Sequence, residues 1–178
     1  MVRRMGGFGI AAAWLVAVAA GFGPDEREVP REVAAPPGAR VALSGVGRGV
    51  QIYKAATGAD GKPAWALEGP LATLYDAQGV MIGYHYEGPY WESMDGSRVA
   101  SVAAEPVKTA PAPDPGKDIP WLLVPVRPES AGGALAGVTH IQRLDTAGGQ
   151  APAGPPKVLG SKVGMPYSAT YVFLRPGP

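Results

Sequence analysis

Glycine and proline are spread through this chain between short apolar runs, and this pattern constrains the fold more than any other feature. They supply 26 and 20 of the 178 residues, a share that is typical of low-complexity segments when the residues form tracts. Here they instead separate short runs that are rich in β-branched, aromatic and other apolar residues. Such a pattern predicts many short strands joined by tight turns.

The strand candidates follow one another closely along the chain. They are Val41–Leu43, Gly49–Ala55, Ala64–Leu67, Leu71–Tyr75, Val80–Tyr86, Arg98–Val107, Trp121–Val126, Val138–Leu144 and Tyr171–Leu174. In the second of these, alternation puts Val50 and Ile52 on one face and Gln51 on the other. No long segment after the first twenty residues repeats apolar residues at helical spacing.

The fold class follows from this strand content. The Pro/Gly-rich segments Pro106–Asp118 and Ala147–Pro156 are expected to be long loops. An all-β, mainly antiparallel fold is therefore predicted, either a single-domain β-sandwich or a small β-barrel with long Pro/Gly-rich loops. Residues 41–178 are expected to form this one domain, and residues 21–40, which mix charges with alanine and proline, a flexible linker before it.

The first twenty residues have the organisation of an export signal. Arg3 and Arg4 form a basic start, an apolar run covers residues 7–20, and the small residues around Ala20 offer a cleavage site. The run is too short to span a bilayer comfortably, which favours a cleaved signal peptide (1–20) over a retained anchor. The protein is therefore predicted to be exported to the periplasm or beyond the cell, with no stable transmembrane span after processing.

The composition excludes several classes of function. Removal of Arg3 and Arg4 with the signal changes the formal net charge from +1 to −1, and no basic run follows a phosphate backbone, so nucleic acid is not expected as a partner. Cysteine is absent, which excludes thiolate-bound zinc, iron–sulfur clusters and thiol catalysis. With two histidines, any metal site would also need carboxylates or backbone oxygens, and none is predicted. No cofactor is predicted either, because the glycines of Gly45–Gly49 lack dinucleotide-fingerprint spacing and precede a strand.

The segment Gly83–Ser97 concentrates the residues that carry chemistry. It contains one of the two histidines, several carboxylates and four aromatic rings. In a strand, His85 and Glu87 would face the same side, where a carboxylate can orient an imidazole for acid–base catalysis. A histidine that is hydrogen-bonded within a polar core layer explains the same pattern and is favoured.

Other residues of this segment have two interpretations each. Asp95 and Ser97 flank a glycine and suit a hairpin turn, whereas Asp95 with Glu92 could instead form a carboxylate pair. Trp91, together with Trp121 from outside the segment, could contribute to a stacking platform for a sugar or another flat ligand, or simply fill the core.

Two further candidates lie outside this segment. Asp118 precedes the Trp121 strand at a loop-to-strand entry. Gln142 and Arg143 lie mid-strand, where they could line a pocket or a solvated sheet face. The complete set of candidate binding residues is His85, Trp91, Glu92, Asp95, Ser97, Asp118, Trp121 and Gln142.

Seven segments together resemble one family. In chain order they are Gly49–Tyr53, Trp65–Pro70, Gly83–Glu92, Asp95–Val99, Asp118–Leu123, Val138–Gly149 and Pro166–Phe173. This succession is similar to the secreted bacterial and fungal family called domain of unknown function 3455. The resemblance covers nearly the whole predicted domain and implies no particular activity.

The function expected from these observations is a binding or envelope-associated module with a polar and aromatic site in the Gly83–Ser97 segment. Its partner would be a small molecule or an envelope component, and its oligomeric state is left open. Two alternatives remain: a secreted hydrolase or lyase that uses His85 with a carboxylate, and a purely structural secreted domain.

Overall fold

Nine strands form one continuous antiparallel sheet in the computed structural model, which describes residues 28–178. The predicted signal peptide (1–20) and the start of the predicted linker lie outside the described residues. The strands are β1 (Ala39–Thr57), β2 (Pro63–Tyr75), β3 (Met81–Tyr86), β4 (Tyr90–Ser93), β5 (Arg98–Ser101), β6 (Lys108–Ala110), β7 (Trp121–Pro128), β8 (His140–Gly148) and β9 (Lys162–Pro176). Within residues 28–178 no helix is long and apolar enough to cross a membrane.

The sheet curls round until its ends meet. Its strand order is β5-β4-β3-β2-β1-β9-β8-β7-β6, and β5 also pairs with β7 through Val99 to Ser101 and Val126 to Pro128. The first half of β7 pairs with β6 along the same edge. Eight strands thus close into a barrel, and β6 continues its wall beyond the end of β5. The prediction of an all-β antiparallel fold is confirmed, and the chain adopts the barrel form.

Alternation along the strands divides the apolar side chains between two clusters. The interior cluster comprises Ala72, Leu74, Trp91, Val99, Ile119, Val124, Val126, Leu135, Val138, Ile141, Tyr167, Ala169, Tyr171 and Phe173. The outer cluster lies on the opposite face of β7, β8 and β9 and comprises Val33, Ala110, Ala112, Trp121, Leu123, Leu144 and Leu174.

The N-terminal segment, residues 28–38, covers this outer cluster. It contains one short 3-10 turn, Arg31–Val33, and Val33 is completely buried. The Val33 carbonyl accepts a hydrogen bond of 2.7 Å from Nε2 of Gln142 on β8. The described part of the predicted linker is thus packed against the barrel wall as far as the start of β1.

Two strands are longer than the sequence predicts. β1 continues through the glycines at 45, 47 and 49, which lie on its inner face, where the wall bends tightly and little room remains. β2 continues through Gly69-Pro70, because one extra residue, Glu68, forms a β-bulge opposite Ile52 and Tyr53. A glycine cluster and a Gly-Pro pair resemble turns locally, and only closure of the barrel makes them parts of strands.

Other differences are at strand ends. The sequence predicts a strand over Arg98–Val107, but β5 ends at Ser101, and it predicts no strand where β4 lies. β9 starts at Lys162, well before the predicted Tyr171. These boundaries depend on which neighbour a strand pairs with, which local composition does not encode.

We expect Gly47→Ala to destabilise the barrel by about 1–3 kcal/mol. A Cβ at this position would lie 2.5 Å from Cε2 of Tyr171, whose ring is fully buried and has no free space to move into. Urea unfolding measures the effect. Gly132→Ala is the matched control, because nothing lies within 4 Å of its added Cβ, and it should change stability by less than about 0.5 kcal/mol. Equal stability of the two variants would contradict the packing of β1 against Tyr171.

Candidate functional site

A cavity of about 220 Å³ lies inside one end of the barrel. Its floor includes the buried side chains of Gln51, His85 and Tyr171. Its rim includes Leu67, which is 57% exposed, and Val107, which is 41% exposed. An eight-stranded barrel is just wide enough to be filled by side chains or to hold one small ligand, and this barrel cavity is the space left where the inward residues are small.

His85 on β3 is held between aromatic rings at the cavity floor. Its imidazole stacks on Trp91 at 4.1 Å between ring centroids and meets the Tyr171 ring edge-on at 5.2 Å. Nδ1 lies 2.8 Å from the Tyr90 carbonyl oxygen. Because a carbonyl can only accept, Nδ1 carries the proton and Nε2 has a free lone pair. Nε2 makes no hydrogen bond with any described residue.

The electrostatic surroundings keep His85 neutral. Burial, opposed by the hydrogen bond to Tyr90 and assisted by the positive charge of Arg143, lowers the pKa of His85 from 6.5 to about 3. No carboxylate is paired with the imidazole: Glu87 is exposed, and Glu92 accepts a 2.7 Å hydrogen bond from the Tyr86 hydroxyl. The arrangement is that of a neutral acceptor, without the adjacent acid that acid–base catalysis would use.

Two buried donors at the cavity have no partner among the described residues. Nε2 of Gln51 and Nε1 of Trp91 are shielded from solvent and make no well-formed hydrogen bond, although the Gln51 side chain lies close enough to the Tyr167 hydroxyl to oppose the rise in the pKa of that tyrosine. Both residues line the cavity and are 2% exposed. A buried donor without a partner destabilises a protein by about 1–3 kcal/mol, so each one requires an explanation.

A cation also lines the barrel cavity. Arg143 on β8 donates from Nε and Nη2 to the Pro120 carbonyl oxygen, at 3.2 and 2.9 Å. It makes no ion pair with any residue in 28–178. Burial lowers the pKa of Arg143, and the hydroxyls of Tyr171 and Tyr167 oppose that effect. Those two hydroxyls lie 3.0 Å apart and bond to each other.

The carboxylate that lines the cavity is already paired. The bulge residue Glu68 lines the cavity, and its Oε2 forms an ion pair of 2.6 Å with Nζ of Lys162 on β9. Its charge is therefore compensated at the rim, and the charge of Arg143 is not.

Asp95 and Ser97 form a separate polar cluster, in the β4–β5 turn. Asp95 Oδ1 accepts hydrogen bonds from the Ser97 amide and hydroxyl, at 2.9 and 2.6 Å, and Oδ2 accepts one of 2.7 Å from the Ala134 amide. The Ser97 hydroxyl oxygen also accepts from the Leu135 amide at 3.1 Å. The turn thereby fastens the loop between β7 and β8. The hydroxyl and amide of Ser97 have the largest effect, followed by the Ala134 amide, and together these hydrogen bonds lower the pKa of Asp95 from 3.8 to about 2.

The remaining sequence-predicted residues do not face the barrel cavity. Asp118 accepts a 2.7 Å hydrogen bond from the Gly148 amide and joins β8 by an isolated bridge. Trp121 is buried in the outer cluster, and Gln142 bonds there to the N-terminal segment. Of the eight candidates, His85 and Trp91 are thus brought together at the cavity, and the other six are elsewhere.

Sequence analysis missed four polar residues of the cavity, Gln51, Glu68, Ser101 and Tyr171, and named Arg143 only as a possible pocket residue beside Gln142. Gln51 could have been found, because a single polar amide between Val50 and Ile52 points to one polar position in an apolar strand. The sequence does not show whether that side of the strand faces the interior. Arg143 is adjacent to Gln142, and because side chains alternate between the two faces of a strand, only one of the two points into the barrel.

Comparison with known proteins adds a family. The family model described as Protein of unknown function (DUF3455) matches residues 36–175 of the chain. The chain belongs to the DUF3455 family. This confirms the resemblance that seven segments suggested. No curated protein and no solved structure matches the chain. Among residues 28–178 of this DUF3455 domain, no three His, Asp or Glu side chains lie close enough together to hold a metal ion.

We expect His85 to make the DUF3455 domain acid-sensitive. As pH falls from about 6.5 to about 3, the unfolded chain protonates this histidine and the folded chain does not, so stability falls by up to about 1.4 kcal/mol per pH unit across that window. In urea unfolding at several pH values, His85→Gln should lose this component, whereas His140→Gln, at the other histidine, should retain most of it. Parallel pH profiles for the parent and His85→Gln would contradict the buried neutral state.

A second expectation concerns Asp95. Asp95→Ala should release the loop at Ala134 and Leu135, seen as faster amide hydrogen exchange there, because both acceptor oxygens are lost. In the parent, the same protection should be present above about pH 4 and lost as pH falls through about 2, since the carboxyl pKa is depressed in the folded state. Glu87→Gln, at an exposed carboxylate nearby, is the control. Unchanged exchange in Asp95→Ala would disprove the fastening role.

Proposed function

We propose that the protein is an exported binding module that holds one small molecule in the barrel cavity. The observation that carries the proposal is the pair of buried donors, Gln51 Nε2 and Trp91 Nε1, which belong to residues that line this cavity and make no well-formed hydrogen bond within residues 28–178. A ligand acceptor would satisfy them. Export is part of the proposal because residues 1–20 have the organisation of a signal peptide.

The size and lining of the cavity favour a compact ligand with a flat apolar body. An apolar cavity of roughly 150 Å³ is large enough for benzene, and this one has about 220 Å³. Apolar groups dominate the walls, including Pro70, Leu122 and Val124, and the Trp91 indole adds an aromatic surface. Few polar groups on mainly apolar walls are typical of small-molecule sites.

The histidine geometry favours binding over catalysis. His85 has a lone pair at Nε2 and is neutral near pH 7, but no carboxylate orients it. It lies beside the two unpartnered donors and offers one acceptor to a ligand. This set of groups can fix the orientation of a polar substituent, and none of it supplies an activated nucleophile.

Titration with benzamide, a neutral ring of suitable size, tests the proposal. We expect the Trp91 indole N–H resonance to shift saturably in ¹⁵N–¹H spectra, because benzamide places an acceptor beside it. Trp121 is a built-in control: its Nε1 is equally buried and unpartnered but lies in the outer cluster, so its resonance should not move. Trp→Phe variants assign the two signals.

Gln51→Leu supplies a second readout. It should be at least as stable as the parent, because an unpaired buried amide is removed, yet bind benzamide several-fold more weakly. Gln78→Leu, at an exposed glutamine, should leave binding unchanged. The proposal fails if neither benzamide nor its charged analogue benzoate produces a saturable shift of Trp91, or if Trp91 and Trp121 shift alike.

A further inference from the structure

We infer that the ligand of the barrel cavity carries a carboxylate, and that Arg143 binds it. The inference rests on the proposed function and narrows it to a class of ligand: small molecules with a flat apolar body and one negative charge.

The argument starts from the hydrogen-bond capacity of Arg143. A guanidinium has five N–H donors. Two of these donate to the single carbonyl oxygen of Pro120, and the Tyr171 hydroxyl is a further hydrogen-bond partner of the guanidinium. The Pro120 contact fixes the plane of the guanidinium at the cavity wall, and the remaining N–H donors are available to a ligand there.

The balance of charges around the cavity indicates that the ligand group bound by Arg143 is negatively charged. Within residues 28–178, ion pairs join Lys62, Arg98, Lys117, Arg127 and Lys162 to carboxylates. Arg143 makes none, although it is half-buried and lines the cavity. Glu68, the carboxylate at the same cavity, is neutralised by Lys162 at 2.6 Å. The cavity therefore has one uncompensated positive charge, and a half-buried charge without a partner is unfavourable.

The neighbouring groups agree with an anion. Burial raises the pKa of Tyr171 well above 10 and also raises that of Tyr167, so both hydroxyls stay protonated. One donates to the other across 3.0 Å, which leaves at most one hydroxyl hydrogen for another acceptor. Gln51 Nε2 and Trp91 Nε1 add two more donors without partners. Donors thus outnumber free acceptors around the cavity, where His85 Nε2 is the acceptor already described.

A carboxylate fits this set better than a larger oxyanion. Its two oxygens match the planar fork of one guanidinium. A phosphate would bring up to two charges to a site with one unpaired cation, and would occupy space that the apolar walls reserve for the body of the ligand.

The test compares benzoate with benzamide, which has the same ring and nearly the same shape but no charge. At pH 7 we expect the parent protein to bind benzoate at least ten-fold more tightly, measured by the Trp91 indole shift. Arg143→Met should abolish the preference and still bind benzamide. If Arg143→Met does not fold, Arg143→Lys is tested instead. The lysine ammonium is a point charge on a flexible side chain and lacks the planar pair of donors, so the preference for benzoate should fall at least three-fold.

The outcomes separate the two proposals. Equal binding of benzoate and benzamide at Trp91 would overturn the carboxylate inference and leave the binding function standing. A benzoate preference that is unchanged in the Arg143 variant would overturn the assignment of Arg143. If neither compound shifts Trp91, the proposed function fails, and this inference fails with it.

Discussion

The pairing of β5 with β7 is the interaction on which the rest of the structure depends. Three residue pairs, between Val99–Ser101 and Val126–Pro128, convert a curled sheet into a closed wall. Once the wall is closed, every strand has one face that is enclosed and one that is not. The interior cluster, the outer cluster and the barrel cavity are all products of that distinction. Without this short contact the inward row of β3, with His85, would face an open groove.

The interior is more polar than its stability alone requires. Arg143, Gln51 and Trp91 all line the cavity. Within residues 28–178, Gln51 Nε2 and Trp91 Nε1 make no well-formed hydrogen bond, and Arg143 makes no ion pair. Replacing such groups with apolar ones usually costs nothing or stabilises a fold. A protein that keeps several unsatisfied polar groups around one cavity is less stable there than it could be. Such a loss of stability is typical of sites that bind another molecule. The Asp95 cluster differs, because every group in it is bonded and its effect is to hold a loop.

The fold class was predictable from the sequence, and the position of the site only partly so. Glycine and proline between β-branched and aromatic runs indicated short antiparallel strands, because few other structures satisfy the backbone of such a chain. The density of rings around His85 and Trp91 pointed to a segment that the structure brings to the cavity. Gln142 illustrates the limit. Ile141 packs inside and Leu144 outside the same strand, so apolar residues occur on both faces and composition cannot reveal which neighbour turns inward.

Long-range pairing explains the other differences. The glycines of β1 resemble a turn until Tyr171, far along the chain, is known to occupy the space beside them. Glu68 falls in the break between two predicted strands until its bulge is seen opposite Ile52 and Tyr53. In each case the deciding contact comes from a strand that is distant in sequence, and a single sequence contains no record of it.

The N-terminal segment sets a boundary on how this chain can be processed. Val29 and Val33 pack on the outer cluster, and Val33 also holds the amide of Gln142. A cut after Val33 would uncover the Trp121 side of the wall and leave that amide without its acceptor, and a cut after Val29 would already remove one of the two packed valines. Proteolysis that spares these contacts must therefore end upstream of Val29. The signal cleavage proposed near Ala20 would respect this limit.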